Sequence, residues 1–370
     1  MGFFIRSIVR QHSRLYVRAY TTEIQAKALV YANHGQPSEV LKLHTYRLPA
    51  LTPNTVQVEF LASPINPADI NMIQGVYPIK PKFQTLGTEE LAVGGNEGVA
   101  KVIAVGSNVD SLKVGDEVVM AKAGHGTWRT HAEGPADDFQ LLPKSNVSLV
   151  QKATIAVNPC TAYRMLKDFV NLKKGDYVIQ NGGNSAVGQA VIQIANAWGI
   201  NTINVVRDRP EIEKLRQELT DLGATHVVTD DKLGSFETRK SIKSWVDNSS
   251  LLLGLNCVGG KSATDMARYL GNNGQYVTYG AMSRAPLSLP ASLLIFKNIS
   301  FHGFWVSKWS DIHSKEERYE MFQDLIDLMS QGKLAEPKWT KLEFEDEESL
   351  KRAADQGISG YATGKQVIVF

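Results

Sequence analysis

The chain has 370 residues, 43% of them hydrophobic and 21% charged, and its 40 Lys and Arg nearly cancel its 38 Asp and Glu. Length suggests about two domains and composition an ordinary globular protein, and the charge balance points to neither a nucleic-acid nor a membrane-surface partner. Two cysteines, Cys160 and Cys257, exclude a four-thiolate zinc site and a disulfide framework; a single bridge stays open, with two free thiols in a reducing compartment the reading adopted.

The N-terminus carries Arg6, Arg10, Arg14 and Arg18 and no acid before Glu23. Spacing of four sets these arginines along one side of a helix, with Phe3, Phe4, Ile8, Val9 and Leu15 as apolar material. An Arg-rich, acid-poor amphipathic start reads as a mitochondrial presequence over residues 1–20, cut after Tyr20; the alternative is a basic arm on a cytosolic protein. Removing those four arginines leaves 36 basic residues against 38 acidic ones. No apolar run approaches the roughly 18 residues that a membrane helix requires.

Residues 25–149 are short β-type runs punctuated by Gly and Pro. Residues 55–61 alternate, 98–106 form a buried-strand run, and 114–119 are a turn into another strand. This density of turns predicts a small barrel-like β domain over 21–150, preceding a second domain over 151–306. There, short apolar strands at 176–180, 201–206, 226–228, 251–255 and 275–279 alternate with helical patterns. A helix is predicted at 186–198, and another at 211–222 with Pro210 in its first turn. Strand alternating with helix predicts a parallel, doubly wound α/β sheet. Residues 307–370 hold an amphipathic helix at 316–329 and a final strand at 366–370, and are expected to return to the first domain.

The turn after the first of these strands reads as a degenerate dinucleotide fingerprint, Gly183, Ser185 and Gly188, with serine in place of the middle glycine. Its place between strand and helix gives it weight, since the helix N-terminus offers N–H groups and a positive dipole end to a phosphate. At the end of the next strand an NAD site would carry an acid. This chain carries Arg207, Asp208 and Arg209. Guanidinium groups match a 2′-phosphate, so NADPH is the expected cofactor.

The three-part plan resembles the medium-chain dehydrogenase/reductase superfamily, which implies a GroES-type catalytic domain beside a Rossmann nucleotide domain. Where its alcohol dehydrogenases have Gly-His-Glu, this chain has Gly95-Asn96-Glu97, and no cysteine precedes Cys160. Zinc-activated alcohol oxidation is therefore not expected. His125 and His131 lack partner ligands and read as surface or loop histidines. Within the superfamily, INPADINMIQGVYP (65–78), GNEG (95–98), NPCTAY (158–163), NSAVGQAVIQIA (184–195), INVVRDRP (203–210), NCVGGKSA (256–263), TYGAMS (278–283) and FHGFWV (301–306) are similar to mitochondrial 2-enoyl thioester reductases of fatty acid synthesis. The resemblance runs from about Lys27 to the C-terminus.

That resemblance implies residue roles. Tyr77 matches the catalytic tyrosine. Asn158, then Asn184, Ser185, Ala186 and Val187, then Arg207, Asp208 and Arg209 match NADPH contacts. So do Tyr279, Gly280, Ala281 and Met282, then Phe304, Trp305 and Val306, and Lys365. It also implies a homodimer with paired nucleotide domains, a mitochondrial matrix location, and acyl groups carried on acyl carrier protein or coenzyme A. Chemistry supports the tyrosine. Adding hydride to C3 of an enoyl thioester leaves enolate charge on the thioester oxygen, and a phenol, protonated at neutral pH, can donate to it. Packing of the loop is the other reading of Tyr77. Phe304 and Trp305 are open between a pocket lining and the core of a sixth strand, while Phe301 reads as core. Lys80 and Lys82 could meet an acidic carrier or coenzyme A phosphates, or be simply solvated. Two other functions remain, a zinc-free quinone or enone reductase and a non-catalytic NADPH-binding protein.

Overall fold

The computed structural model describes residues 23–246, 251–357 and 364–370; the presequence expected at 1–20 lies outside the described residues. Nine strands come first: β1 Gln25–Tyr31, β2 Lys42–Arg47, β3 Thr55–Pro64, β4 Gln84–Leu86, β5 Glu89–Val93, β6 Val99–Val105, β7 Glu117–Met120, β8 His131–Pro135 and β9 Phe139–Leu141. Six follow: β10 Tyr177–Asn181, β11 Asn201–Val206, β12 His226–Thr229, β13 Leu253–Asn256, β14 Gln275–Thr278 and β15 Ser300–Gly303. The chain ends with β16 Trp339–Glu343 and β17 Lys365–Val369.

The middle six make one sheet in the order β12-β11-β10-β13-β14-β15, every neighbouring pair parallel. The order reverses beside β10, where chain excursions leave on opposite sides and open a crevice at the strands' C-terminal ends. The helix Ala186–Ala197 buries Ala190, Val191, Ile194 and Ala195, two pairs of neighbours four residues apart that line one face. Ser185 caps it, accepting from the Gly188 N–H at 3.1 Å. The next helix begins at Ile212, later than expected. Its cap residue Glu211 is left-handed, with φ 60, so Pro210 stands outside the first turn.

In the other part, β3 pairs antiparallel with β6, β8 and β17, so the last strand of the chain is built into the first domain. A four-stranded sheet in the order β2-β1-β5-β4 packs beside it. The short helix Pro67–Ile73 rests on the returning segment: Ile70 and Ile73 share one buried cluster with Leu342, Phe344, Leu350 and Ile368. The helix Lys315–Ser330 instead buries Met321, Phe322 and Leu325 in a cluster with Tyr163, Val191 and Leu255 of the nucleotide-sheet side. That cluster also takes Ala62, Val99 and Val367, so one core runs continuously between the two parts. Both cysteines are free and buried. No helix among the described residues is long and apolar enough to cross a membrane.

His131 is not in a loop. It lies in β8, half-buried, because the alternation continues through Ala132 and Gly134, which face inward. His125 packs its ring against Phe139 with centroids 5.1 Å apart. Burial, then the charges of Arg129 and Lys82, hold its imidazole well below the usual range.

Leu325 is fully buried in the shared cluster. Leu325→Ala is expected to cost about 2–5 kcal/mol of stability, lost transfer energy plus a residual cavity. A urea midpoint within a few tenths of a molar of wild type would mean that this helix is not core.

Candidate active site

The glycine turn is fixed by contacts that leave no room for side chains. A Cβ on Gly188 would lie 2.5 Å from the Gly182 carbonyl oxygen, and one on Gly183 2.9 Å from Asn204 Cβ. Gly182, at φ +63, faces the Cys257 thiol at 2.5 Å from a built Cβ. These three positions need glycine because the helix, the turn, β11 and the residue after β13 approach one another closely. Ser185 stands where the fingerprint has its middle glycine and serves as the helix cap, so the N-terminus survives that exchange. Asn184 gives its carbonyl to Gln189 Nε2 at 2.9 Å, Ala186 is exposed, and Val187 is half-buried against the core.

The other expected nucleotide residues lie mostly along the same edge of the sheet. Arg207, Asp208 and Arg209 follow β11 directly and are exposed. Asp208 is turned into its own loop, accepting from the Arg209 N–H at 3.0 Å, and neither arginine forms an ion pair with a described residue. Tyr279, Gly280, Ala281 and Met282 follow β14. The Tyr279 N–H donates to the Asn256 carbonyl and the Met282 N–H to that of Cys257, both at 2.9 Å. The Tyr279 hydroxyl is buried beside the Cys257 thiol and Ser185, with no hydrogen bond of full geometry. Burial, and next the Cys257 thiol, push its pKa well up, so it stays a neutral donor. Asn158 opens the helix Asn158–Asp168, half-buried. A glycine cradle at a helix N-terminus and two guanidiniums outside any ion pair with a described residue fit a phosphorylated dinucleotide.

Tyr77 sits on a loop hung from the helix Pro67–Ile73. The N–H groups of Val76 and Tyr77 both donate to the Asn71 carbonyl, at 2.9 and 3.2 Å, and Gly75 makes the reversal with φ +75. Lys80 steadies the same loop by donating to the Gly75 carbonyl at 3.1 Å; Lys82 is exposed. The phenol oxygen accepts from Trp305 Nε1 at 3.1 Å, and the rings meet edge-to-face with centroids 6.0 Å apart. Trp305 caps the helix Val306–Ile312 just beyond the sixth strand, so this bond joins the tyrosine loop to the six-stranded sheet. Trp305 is 38% exposed. Phe304 is half-buried, packing edge-on to Phe169 at 6.1 Å, Val306 packs on the core, and Phe301 tilts against Tyr276.

Beneath the loop lies a buried polar network that the sequence reading missed. Asp69 accepts from the Asn66 N–H and from Asn96 Nδ2, each at 2.7 Å. Glu97 accepts from Asn66 Nδ2 and from the Val157 N–H, each at 2.8 Å. Lys365, expected at the nucleotide, donates its ammonium to Asn66 Oδ1. Asp69 and Glu97 are each 1% exposed. Burial raises both carboxyls, Asp69 to about 6, and lowers the lysine. The one local signal was Asn66-x-x-Asp69, which forms a capping box.

Burial raises the Tyr77 phenol, the Trp305 N–H opposes that, and the Asp69 charge adds to it. Two chain segments 228 residues apart therefore meet at one hydroxyl.

Two family models match the chain: the alcohol dehydrogenase GroES-like domain over residues 52–144 and the zinc-binding dehydrogenase over 186–331. The zinc in the second description does not fit here. Asn96 donates to Asp69 and accepts from the Gly124 N–H at 2.7 Å, Lys365 brings its own cation, and no group of three His, Cys, Asp or Glu among the described residues could hold a metal. The mitochondrial enoyl-[acyl-carrier-protein] reductase of Rattus norvegicus is 47% identical over 350 residues, 95% of this chain and 90% of that protein. The Candida tropicalis mitochondrial 2-enoyl thioester reductase heterodimer Etr1p/Etr2p, and Etr1p in complex with NADP and crotonyl-CoA, each match at 43% identity with TM-score 0.88, covering 94% of this chain and all of theirs. An NADPH:quinone reductase ascribed to Bacillus thuringiensis matches at 25% identity with TM-score 0.80, covering 94% of this chain and 99% of that one.

Replacing Trp305 with Phe removes the indole donor and keeps the ring. The Tyr77 titration, followed by tyrosinate absorbance against a Tyr77→Phe reference, is expected to move to higher pH. An unmoved titration would reduce the contact to packing.

Proposed function

The chain belongs to the mitochondrial enoyl-[acyl-carrier-protein] reductase family, and from that membership we infer that it reduces trans-2-enoyl thioesters to saturated acyl thioesters with NADPH inside mitochondria. The observation that carries the mechanism is the Trp305–Tyr77 hydrogen bond. Trp305 donates, so the phenol's own O–H is free to point at a substrate. The indole N–H also meets the negative charge that the phenol oxygen acquires if its proton leaves. Hydride at C3 puts enolate charge on the thioester oxygen, where a preorganised donor is most effective. Tyr77 would supply that hydrogen bond and deliver a proton toward C2, while Trp305 and the Asn71 carbonyl hold the loop in place.

Bound NADPH supplies the hydride. Ser185, Ala186 and Val187, with Asn184 before them, would receive its diphosphate at the helix N-terminus. Arg207 and Arg209 would pair with the 2′-phosphate, with Asp208 held aside by its own loop. Tyr279 to Met282, Asn158, Phe304 to Val306 and Lys365 would complete the site. The division into 21–150, 151–306 and 307–370 is part of the same reading, with β17 on β3 supporting the return. A homodimer paired through the nucleotide domains is supported by β15 as the edge strand and by the exposed Leu294, Ile295 and Phe296 beside it. Carrier-protein-linked and coenzyme A-linked acyl groups are both substrates on this reading, and the matrix is its location.

NADPH consumption with a medium-chain trans-2-enoyl thioester, run beside a quinone, tests the function. Tyr77→Phe is expected to lower kcat by about 10²–10⁴-fold, the usual size of general-acid help, with NADPH affinity intact. Turnover on quinone alone, indifferent to Tyr77, would replace this function with quinone reduction. Removing Arg207 and Arg209 together is expected to erode the preference for NADPH over NADH by about one to two orders of magnitude, the worth of a charge-assisted phosphate contact. An unchanged preference would place the 2′-phosphate elsewhere.

A further inference from the structure

Asp69 touches no part of the cleft, yet its carboxylate is placed where the tyrosine loop begins. Both oxygens are committed, one to the Asn66 N–H and one to the Asn96 amide. The first of these fixes the N-terminus of the helix Pro67–Ile73. At the helix's far end the Asn71 carbonyl carries the Val76 and Tyr77 N–H groups, and the Ile73 carbonyl meets the Gly35 N–H and His34 Nδ1, both at 3.1 Å. The helix has two turns, so what holds its start also holds the loop at its end.

The surrounding charges do not cancel. Lys365 on β17 is the one cation among the groups acting on Asp69, and Glu97, just before β6, is a second buried carboxylate beside it. Two carboxylates facing one ammonium leave a net negative charge when all three are ionised. The Asp69 charge acts on Tyr31 of β1 and on Tyr77, opposing phenolate in both. On the other side of Tyr77 stands the neutral Trp305 N–H, and on its own loop Lys80 is turned to the Gly75 carbonyl.

We propose that Asp69 is a positioning residue for Tyr77, seating its loop through two hydrogen bonds and keeping its proton in place through a buried negative charge. The proposal rests on Tyr77 as the proton donor, but its first readout needs no turnover. Protonating Asp69 removes one acceptor and the charge together. Its carboxyl is raised to about 6, so the ionised form prevails above that pH and is lost below it.

Two measurements test this on the full chain. In the first, Tyr77 is titrated by tyrosinate absorbance against a Tyr77→Phe reference. Asp69→Asn removes the opposing charge, so the phenol is expected to titrate roughly one unit lower. In the second, kcat with NADPH and a trans-2-enoyl coenzyme A thioester is followed from pH 5 to 10. Wild type is expected to lose activity as pH falls through about 6. Asn96→Ala removes a donor that favours the ionised form, so this acid limb is expected to move to higher pH with NADPH affinity unchanged. Asp69→Asn is expected to abolish the acid limb and lower kcat roughly tenfold. A Tyr77 titration and acid limb that stay at wild-type positions in both variants, or a loss of kcat uniform across pH, would overturn the proposal and leave Asp69 purely structural. If Asp69→Asn does not fold, the limb in Asn96→Ala decides. Wild-type inactivity on every enoyl thioester would sink the reductase function and leave the tyrosinate titration to judge Asp69 alone.

Discussion

A carboxylate withdrawn from water must find donors or give up its charge. Asp69 and Glu97 find theirs in Asn66, Asn96 and the Val157 backbone, with the Lys365 ammonium nearby as a counter-charge that itself donates to Asn66. Each of these four groups lies on a different stretch of chain. Asn66 starts the helix beneath the tyrosine, Asn96 precedes β6, Val157 opens the nucleotide part, and Lys365 starts β17. Satisfying two buried charges therefore fixes four segments relative to one another, and the cleft between the parts inherits that geometry. A network of this kind contributes less through net stability than through specifying one arrangement, since a partly satisfied version is costly.

The cleft is also bounded by apolar packing. One cluster takes residues from β3, β6 and β17 together with the helices at 158–168, 186–197 and 315–330. The helix that carries the tyrosine loop belongs to another cluster, shared with the C-terminal return. Charge network and apolar clusters thus hold the phenol from below, and the Trp305 indole holds it from the side. The consequence is chemical. A phenol that accepts a fixed hydrogen bond and is half withdrawn from water keeps its own proton and presents it in one direction.

The same interior explains why this chain differs from zinc dehydrogenases that share its fold model. At Asn96 an amide serves as donor to one carboxylate and acceptor from a loop N–H, roles in which a metal ligand would not be needed. The Lys365 ammonium then supplies locally the positive charge that paired carboxylates require. Substitution of the donor set was visible in Gly95-Asn96-Glu97; its replacement by an internal cation was not.

What the sequence determined by itself was local. Strand and helix periodicity around Ser185 announced the parallel sheet and its glycine turn, and Arg207 and Arg209 were legible as guanidiniums directly after its second strand. The phenol's chemistry was equally legible, whereas the Asn66-x-x-Asp69 box was present in the sequence but not read from it. Boundaries drifted where backbone chemistry intervened, as at the left-handed Glu211, and His131 was placed in a loop because one polar residue does not announce a strand. Only the tertiary structure decided what surrounds Tyr77. Trp305 lies 228 residues away, and Lys365 reaches Asn66 across 299. Periodicity and motif spacing describe neighbours within a turn or a strand, whereas side chains brought together by core packing leave no trace in the order of the residues between them.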